Sequence, residues 1–345
     1  MTVLAPTALL HDHSEVRSTH VVLLGALGVI GKMHARIYQA LGMSITPIDP
    51  IAGADYRRDL DSIDWSDTIV DICTPTATHT SCLARMYALG ARHFIVEKPA
   101  AADALSWRGQ VSVMPDARIF VVHNYLFSRA FRICRDMISQ PVEITTIFNK
   151  DRTADDARGR GAGSDGRLAH VLHVEAPHQF AMNLALVPDL HVLTSDEFVF
   201  GGRRAAERDT PVAASVALRN NAGQHALLRT HLRKPIQRVL RVTEWDGRAV
   251  EVRFPTTSEQ RATVTERHVD GRTTTVFDGR DDLLAATLQS AVTSLRRGEI
   301  PWEASASFAE AVLERIDRSR LTERADTVPL FRSTMPAPSD RERQS

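Results

Sequence analysis

The sequence predicts an α/β protein, with a doubly wound parallel sheet followed by an α+β part built on a large, mostly antiparallel open sheet. Three observations carry this. At 345 residues the chain exceeds what one core of ordinary size encloses, so two domains are expected. From residue 20 to 123, apolar runs alternate with helix-length amphipathic stretches, the pattern of βαβ units. Beyond residue 140, strand patterns follow one another with turn signals between them, the pattern of an antiparallel sheet.

Taken in order, "HVVLLG" reads as a first strand and "IGKMHARIYQAL" as a helix stopped at Gly42. "SITPID" is a second strand ending at Asp49, and "TIVDICTP" a third, followed by the helical "TATHTSCLARMYALG". "RHFIVE", the helical "AAADALSWRGQV" and "ARIFVVHN" complete the first half. In the second half, "PVEITTIFNK", "LHVLTSDEFVF", "VAASVALRN", "HALLRTHLR", "IQRVLRVTEW", "AVEVRFP", "ATVTERHV" and "TTTVFDG" are eight strand candidates. "RNNAGQ" and "VDGR" are turns between them, and helices are expected at 176–187, 281–297 and 304–320. The expected partition is a flexible arm over 1–18, a dinucleotide-binding domain over 19–125, a substrate-binding and oligomerisation domain over 126–330, and a disordered tail over 331–345.

Composition narrows the function classes. A formal net charge of zero speaks against a nucleic-acid or anionic-membrane surface. No apolar stretch approaches the roughly 20 residues of a membrane span, and the N-terminus lacks the basic region of a signal peptide. Cys73, Cys82 and Cys134 have no paired spacing, as expected of buried thiols in a reducing compartment. The expected location is cytoplasmic.

Two stretches carry chemistry. "VVLLGALGVIGKMH" places Gly25, Gly28 and Gly31 between the first strand and the first helix. Helix N-terminal amides bind a pyrophosphate there, and glycine lets it approach. The G-x-G-x-x-G pattern is not met literally, because Ala26 occupies its first place. Asp49 ends the second strand about 20 residues on, where a carboxylate accepts ribose hydroxyls and repels a 2′-phosphate. NAD is therefore favoured over NADP, although Arg57 and Arg58 lie nearby. The second stretch is "IVEKPA". Only four of the 42 basic residues are lysine (Lys32, Lys98, Lys150, Lys234), and one of them stands at a strand end beside Glu97 and Pro99. Arginine cannot give up its proton near neutrality, whereas a desolvated lysine can, so Lys98 is a candidate proton-transfer residue. His178, after Pro177 in a helix's first turn, is its candidate partner.

"GALGVIGKMHA", "DICTPTATH", "VEKPAA", "VVHNYLFS" and "EAPHQF", in this order over roughly residues 19–325, resemble the Gfo/Idh/MocA family of glucose–fructose oxidoreductase and inositol dehydrogenase. The resemblance implies a Rossmann domain, a C-terminal α/β domain whose open sheet forms a homodimer or homotetramer, and NAD(P)-dependent redox chemistry on a sugar or cyclitol. It implies that Leu27, Gly28, Val29 and Ile30 lie under the pyrophosphate and that Asp49 holds the ribose. Thr74, Pro75, Thr76 and His79 would line the nicotinamide half, and Glu97 its ribose. Lys98 would touch the reacting hydroxyl, across a Lys98–Pro99 bond expected to be cis. Asn124 and Tyr125 would lead into the substrate pocket.

The family reads D-x-x-x-H where this chain has "VEAPH", so Val174 stands at the Asp place, with Glu175 or His173 as substitutes. Lys150 is a candidate substrate residue; Arg152, Arg158, Arg160 and Arg167 of the glycine-rich loop are solvated charge or, if ordered over the pocket, would suit a phosphate or carboxylate on the substrate. His170, His173 and His178 lack the H-E-x-x-H spacing, so no metal is expected. The function read from these features is an NAD-dependent oxidoreductase acting on a secondary alcohol or ketone carbon of a sugar, nucleotide sugar or cyclitol. Two alternatives stay open: a non-catalytic NAD- and sugar-binding regulator, and an enzyme using tightly bound NAD catalytically, as a redox epimerase or glycosidase.

Overall fold

The computed structural model describes residues 19–49, 60, 63–152, 170–198 and 211–321. Arg57, Arg58, Arg158, Arg160, Arg167, the arm and the tail lie outside the described residues. Val21, Val22 and Leu23 are fully buried, as the unbroken apolar run of a strand covered on both faces should be. They form β1 (His20–Leu24), followed by α1 (Val29–Ala40), β2 (Ser44–Ile48), β3 (Thr68–Ile72), α2 (His79–Ala88), β4 (His93–Val96), α3 (Ala104–Ser112) and β5 (Arg118–Val121). The sheet runs β2-β1-β3-β4-β5 and every pair is parallel. Leu24 pairs with Ile72, Ile72 with Val96 and Val96 with Val121. The residues that follow, Gly25, Cys73, Glu97 and Val122, therefore leave the sheet along one line, the carboxyl edge where open α/β sheets bind ligands.

The chain then turns through Asn124–Phe127 into α4 (Arg129–Met137), a helix the sequence reading leaves unassigned. Ser128 caps it by accepting from the Phe131 amide at 3.0 Å. Asp281, distant in sequence, accepts from the Ser128 hydroxyl and the Arg129 and Ala130 amides. Most of its N-terminal definition thus comes from a residue that no local window contains.

The second sheet comprises β6 (Pro141–Asn149), β7 (His191–Phe198), β8 (Ala213–Arg219), β9 (His225–His231), β10 (Gln237–Glu244), β11 (Ala249–Arg253), β12 (Arg261–Arg267) and β13 (Thr273–Arg280). Its order is β13-β12-β11-β10-β6-β9-β8-β7. Only β6 and β9 pair in parallel; the rest are antiparallel. Between β6 and β7 lie α5 (Val171–Val174) and α6 (Ala176–Leu186), and α7 (Leu283–Arg297) and α8 (Ala306–Leu321) follow β13.

Ile144, Thr146 and Phe148 of β6 are buried and mark its inner face, which carries α6. Gln179 of α6 spans that contact, donating to the backbone carbonyls of Thr146 and Arg229, both at 3.0 Å. Arg238 pairs with Phe148 across β10 and β6, so both side chains share the inner face. Lys150 prolongs the β6–β9 ladder, donating from its amide to His231 at 2.9 Å, and its side chain falls on the same face two residues beyond Phe148. No helix among the described residues is long and apolar enough to cross a membrane.

Candidate functional site

The glycine turn leaves β1 with Gly25 at φ +80°, where a Cβ would meet the Cys73 carbonyl oxygen at 2.7 Å. A Cβ at Gly31 would stand 2.2 Å from the Gly25 oxygen. These two are the sterically obligatory glycines. Gly28 is the N-cap of α1, with φ −64° and ψ 165° and a milder 3.2 Å approach. Neither a side-chain cap nor an acidic residue occupies the first turn. Gly28, Val29 and Ile30 are exposed and Leu27 is partly so. An uncapped helix N-terminus at the carboxyl edge, flanked by glycine, fits an anionic group such as a pyrophosphate.

Asp49 is buried, and its Oδ2 accepts the Leu27 amide at 2.9 Å. It thereby ties the end of β2 to the glycine turn, an anchoring role that the sequence does not announce. At the exit of β3, the Thr74 and Thr78 hydroxyls are bonded at 2.9 Å, and Pro75 and Thr76 lead into α2. His79 is buried rather than lining an open surface. Its Nδ1 lies 3.0 Å from the Pro99 carbonyl and its Nε2 2.8 Å from that of Thr74. Any contribution to a cofactor site therefore runs through the loops it braces and not through a ring nitrogen.

At the exit of β4 the Lys98–Pro99 bond is cis, as the resemblance implies. The Glu97 Oε2 accepts the Lys98 amide at 3.0 Å, and its Oε1 lies 3.2 Å from the Nε2 of His34. His34, on α1, is fully buried and pairs through Nδ1 with Asp71 at 2.7 Å; Asp71 also accepts from the Tyr38 hydroxyl at 2.8 Å. Burial opposes a charge on His34, but Asp71 and Cys73 outweigh it and raise its pKa well above the usual histidine value. His34, Asp71 and Cys73 each bring one ligand atom within 4.8 Å of the others. The Cys73 Sγ lies 3.2 Å from the His34 Nδ1 and donates to the Asp71 Oδ1 at 3.6 Å.

The Lys98 ammonium nitrogen reaches across to the second half of the chain and donates to the Val174 carbonyl at 3.0 Å. The backbone at the family's Asp place thus receives the lysine. Burial lowers the Lys98 pKa, with Glu175 and Glu97 pulling it back and Lys150 and Arg238 pushing it further down. His178 is buried, with its Nδ1 unbonded among the described residues. Burial, then Lys98, Arg238, His123 and Lys150, drive its pKa well below the usual value. His123 is likewise held down, to about 3, by burial and Lys98. Both imidazoles are neutral at physiological pH.

Tyr125 lies edge-on to His178 at 4.8 Å between ring centres, and to Phe148 and Phe254 at 4.9 Å each. The Asn124 Oδ1 is buried without a hydrogen bond among the described residues. Lys98, Tyr125, Glu175 and His178 therefore converge, with Lys150 close enough to act on two of them electrostatically. Arg152 extends the ladder through its amide, bonded to Leu232 at 2.9 Å. His170 turns away to Glu197 at 3.1 Å, so the three histidines do not gather at one point. Sequence reasoning missed His34, Asp71, His123, Arg238 and the Val174 carbonyl. Only the Val174 substitution left a visible signal.

No family model matches the chain, and no curated protein sequence matches it. Solved structures do. UDP-N-acetylglucosamine 3-dehydrogenase GnnA from Acidithiobacillus ferrooxidans is similar over 88% of this chain and 97% of its own, with 17% identity and a TM-score of 0.70. A provisionally named myo-inositol dehydrogenase from Sinorhizobium meliloti gives 23% identity and a TM-score of 0.68, covering 88% of this chain and 97% of its own. KijD10, a 3-ketoreductase from Actinomadura kijaniata solved with NADP and TDP-benzene, gives 14% identity and 0.68, over 89% of this chain and 98% of its own. At these identities the likeness establishes the fold, which is the one that the motif resemblance implies.

Proposed function

We propose that this protein is a nicotinamide-dependent oxidoreductase acting on a secondary alcohol or ketone carbon of a sugar, nucleotide sugar or cyclitol, with NAD favoured over NADP. The observation that carries the reading is the placement of Lys98. It is a rare lysine at the carboxyl edge, desolvated, beside a neutral His178 and below an open glycine turn. The redox chemistry itself comes from the nicotinamide ring, which exchanges a hydride with the substrate carbon. The amides of Val29 and Ile30 would hold the pyrophosphate, over a turn shaped by Leu27 and Gly28, whose own amides donate to Asp49 and to the Gly25 oxygen, and Asp49 would favour the unphosphorylated ribose.

In oxidation the neutral Lys98 amine takes the hydroxyl proton as the hydride leaves carbon and the C–O bond becomes a carbonyl; reduction reverses this. Donating to Val174 leaves the amine its lone pair for the substrate. His178 and Tyr125 orient the ring. The similar structures named for dehydrogenase and reductase activities support this chemistry. The test is a panel of sugars, cyclitols and nucleotide sugars run with NAD and NADP, with absorbance read at the reduced-nicotinamide band. No hydride exchange with any member, together with no binding of either cofactor, would overturn it.

A further inference from the structure

We propose that the substrate carries an anionic group, a carboxylate or phosphoryl, on or next to the reacting ring, and that Arg238 and Lys150 receive it. This rests on the oxidoreductase reading for what reacts, but the anion subsite stands on its own geometry. Cross-strand pairing puts Arg238 opposite Phe148, and Lys150 follows Phe148 on the same face. Phe148 lies 6.3 Å from His178 between ring centres. The Arg238 guanidinium carbon lies 5.8 Å from the centre of the Tyr125 ring, which itself packs against His178. The two cations thus flank the wall that carries the candidate proton-transfer groups.

What they lack is a counter-charge. Arg108, Arg135 and Arg248 each close on glutamates. Among the described residues neither Arg238 nor Lys150 forms an ion pair. Arg238 makes one long bond, from Nη1 to the Pro255 carbonyl at 3.4 Å, and its buried Nε has no acceptor. A guanidinium offers five donors in a planar fork, and an unbonded buried donor is a cost that a ligand relieves. With Lys98 acting as a neutral amine, the cations around it are Lys150 and Arg238, and the carboxylates that act on it are Glu175 and Glu97. Glu97 is already engaged by His34 and the Lys98 amide. His123 and His178 add no charge. One substrate anion would balance the set, and the arginine fork matches a carboxylate or phosphate edge.

The test uses calorimetric titration of the full chain with NAD present, with D-glucuronate, glucose 6-phosphate and UDP-glucose as anionic probes and glucose and myo-inositol as neutral ones. At least one anion should bind about tenfold or more tighter than the neutral probes. Arg238→Gln and Lys150→Gln should each erase about tenfold of that preference. Both should leave NAD and neutral-probe affinity within about twofold. Arg238→Lys, which keeps the charge and loses the fork, should recover part of it. The uronate and phosphate arms identify which anion fits. Equal binding of charged and neutral probes, no binding of any anion, or variants that leave anion affinity unchanged would each overturn the inference. Should Arg238→Gln unfold, Lys150→Gln, just beyond the end of β6, decides alone. Anion binding without NAD binding or hydride exchange would instead count against the oxidoreductase reading and leave the subsite standing.

Discussion

The two walls of the cleft are made of different materials. On the first sheet the contacts are backbone: the exposed start of α1, Gly25 and Gly31 with no room for a Cβ, and Asp49 bonded to the Leu27 amide. Over the second sheet they are side chains: Tyr125 from the turn after β5 packs with Phe148 and Phe254 as a wall, with Lys150, Arg238, Glu175 and His178 around it. Backbone amides grip what every dinucleotide shares, whereas side chains can be exchanged without disturbing the strands beneath. Cofactor binding and substrate choice should therefore fail independently, with Lys98, bridging the two through Val174, as the point where both are needed.

The largest effect is expected at that bridge. Lys98→Met keeps the bulk and removes the proton chemistry, so turnover should fall by about 10²–10⁴ while NAD binding is nearly retained. His178→Ala should cost less. Single-turnover rates measured beside cofactor titrations check this, and an undiminished rate in Lys98→Met would make it an ordinary strand-end charge. On the backbone wall, Gly28→Val sits at a permitted φ and should leave the fold intact while raising the cofactor dissociation constant by more than about tenfold, or 1.4 kcal/mol. Gly31→Ala, whose Cβ would overlap the Gly25 oxygen, should instead destabilise the protein by about 1–3 kcal/mol, seen as a lower melting temperature. Equal melting temperatures for the two variants would erase the distinction between ligand-facing and structural glycines.

A smaller effect concerns pH. The oxidation rate should rise with pH through the Lys98 pKa, which burial places below 10.5, because the deprotonated amine is the base. Glu175 raises that pKa, so Glu175→Gln should move the limb toward acid by about one unit or less. Arg238 lowers it, and Arg238→Gln should move the limb toward alkali. Two shifts of the same sign would separate these groups from Lys98. The smallest change is expected from Asp49→Ala, which should relax the preference for NAD over NADP by about tenfold or less. An unmutated protein that uses NADP as well as NAD would remove the basis for that preference.

How far the sequence foretold this depends on the distance over which each feature is encoded. Strands such as Val21–Leu24 and the alternating β6 declare themselves within a few residues, and so does a lysine fixed between Glu97 and Pro99. The helix Arg129–Met137 does not, since Asp281 supplies much of its capping. Arg238 reaches the cleft only because β10 pairs with β6 in one register, and one residue of slip would turn it to the other face. The His34–Asp71–Glu97 chain joins three elements whose only common signal is burial. Where "VEAPH" departs from D-x-x-x-H, the sequence offers Glu175 and His173 as substitutes. It does not announce that the Lys98 nitrogen donates to the Val174 main-chain oxygen, a contact any residue there could offer.

The imidazole of His79 sits between two carbonyls, those of Thr74 and Pro99, and burial keeps its pKa below the usual value. A neutral ring carries one hydrogen, so at physiological pH it can satisfy only one of the two oxygens at a time. The exits of β3 and β4 are thus joined by a latch with a single bolt. Whichever tautomer is present leaves the other loop's carbonyl facing a lone pair, and only acid strong enough to protonate the ring would fasten both.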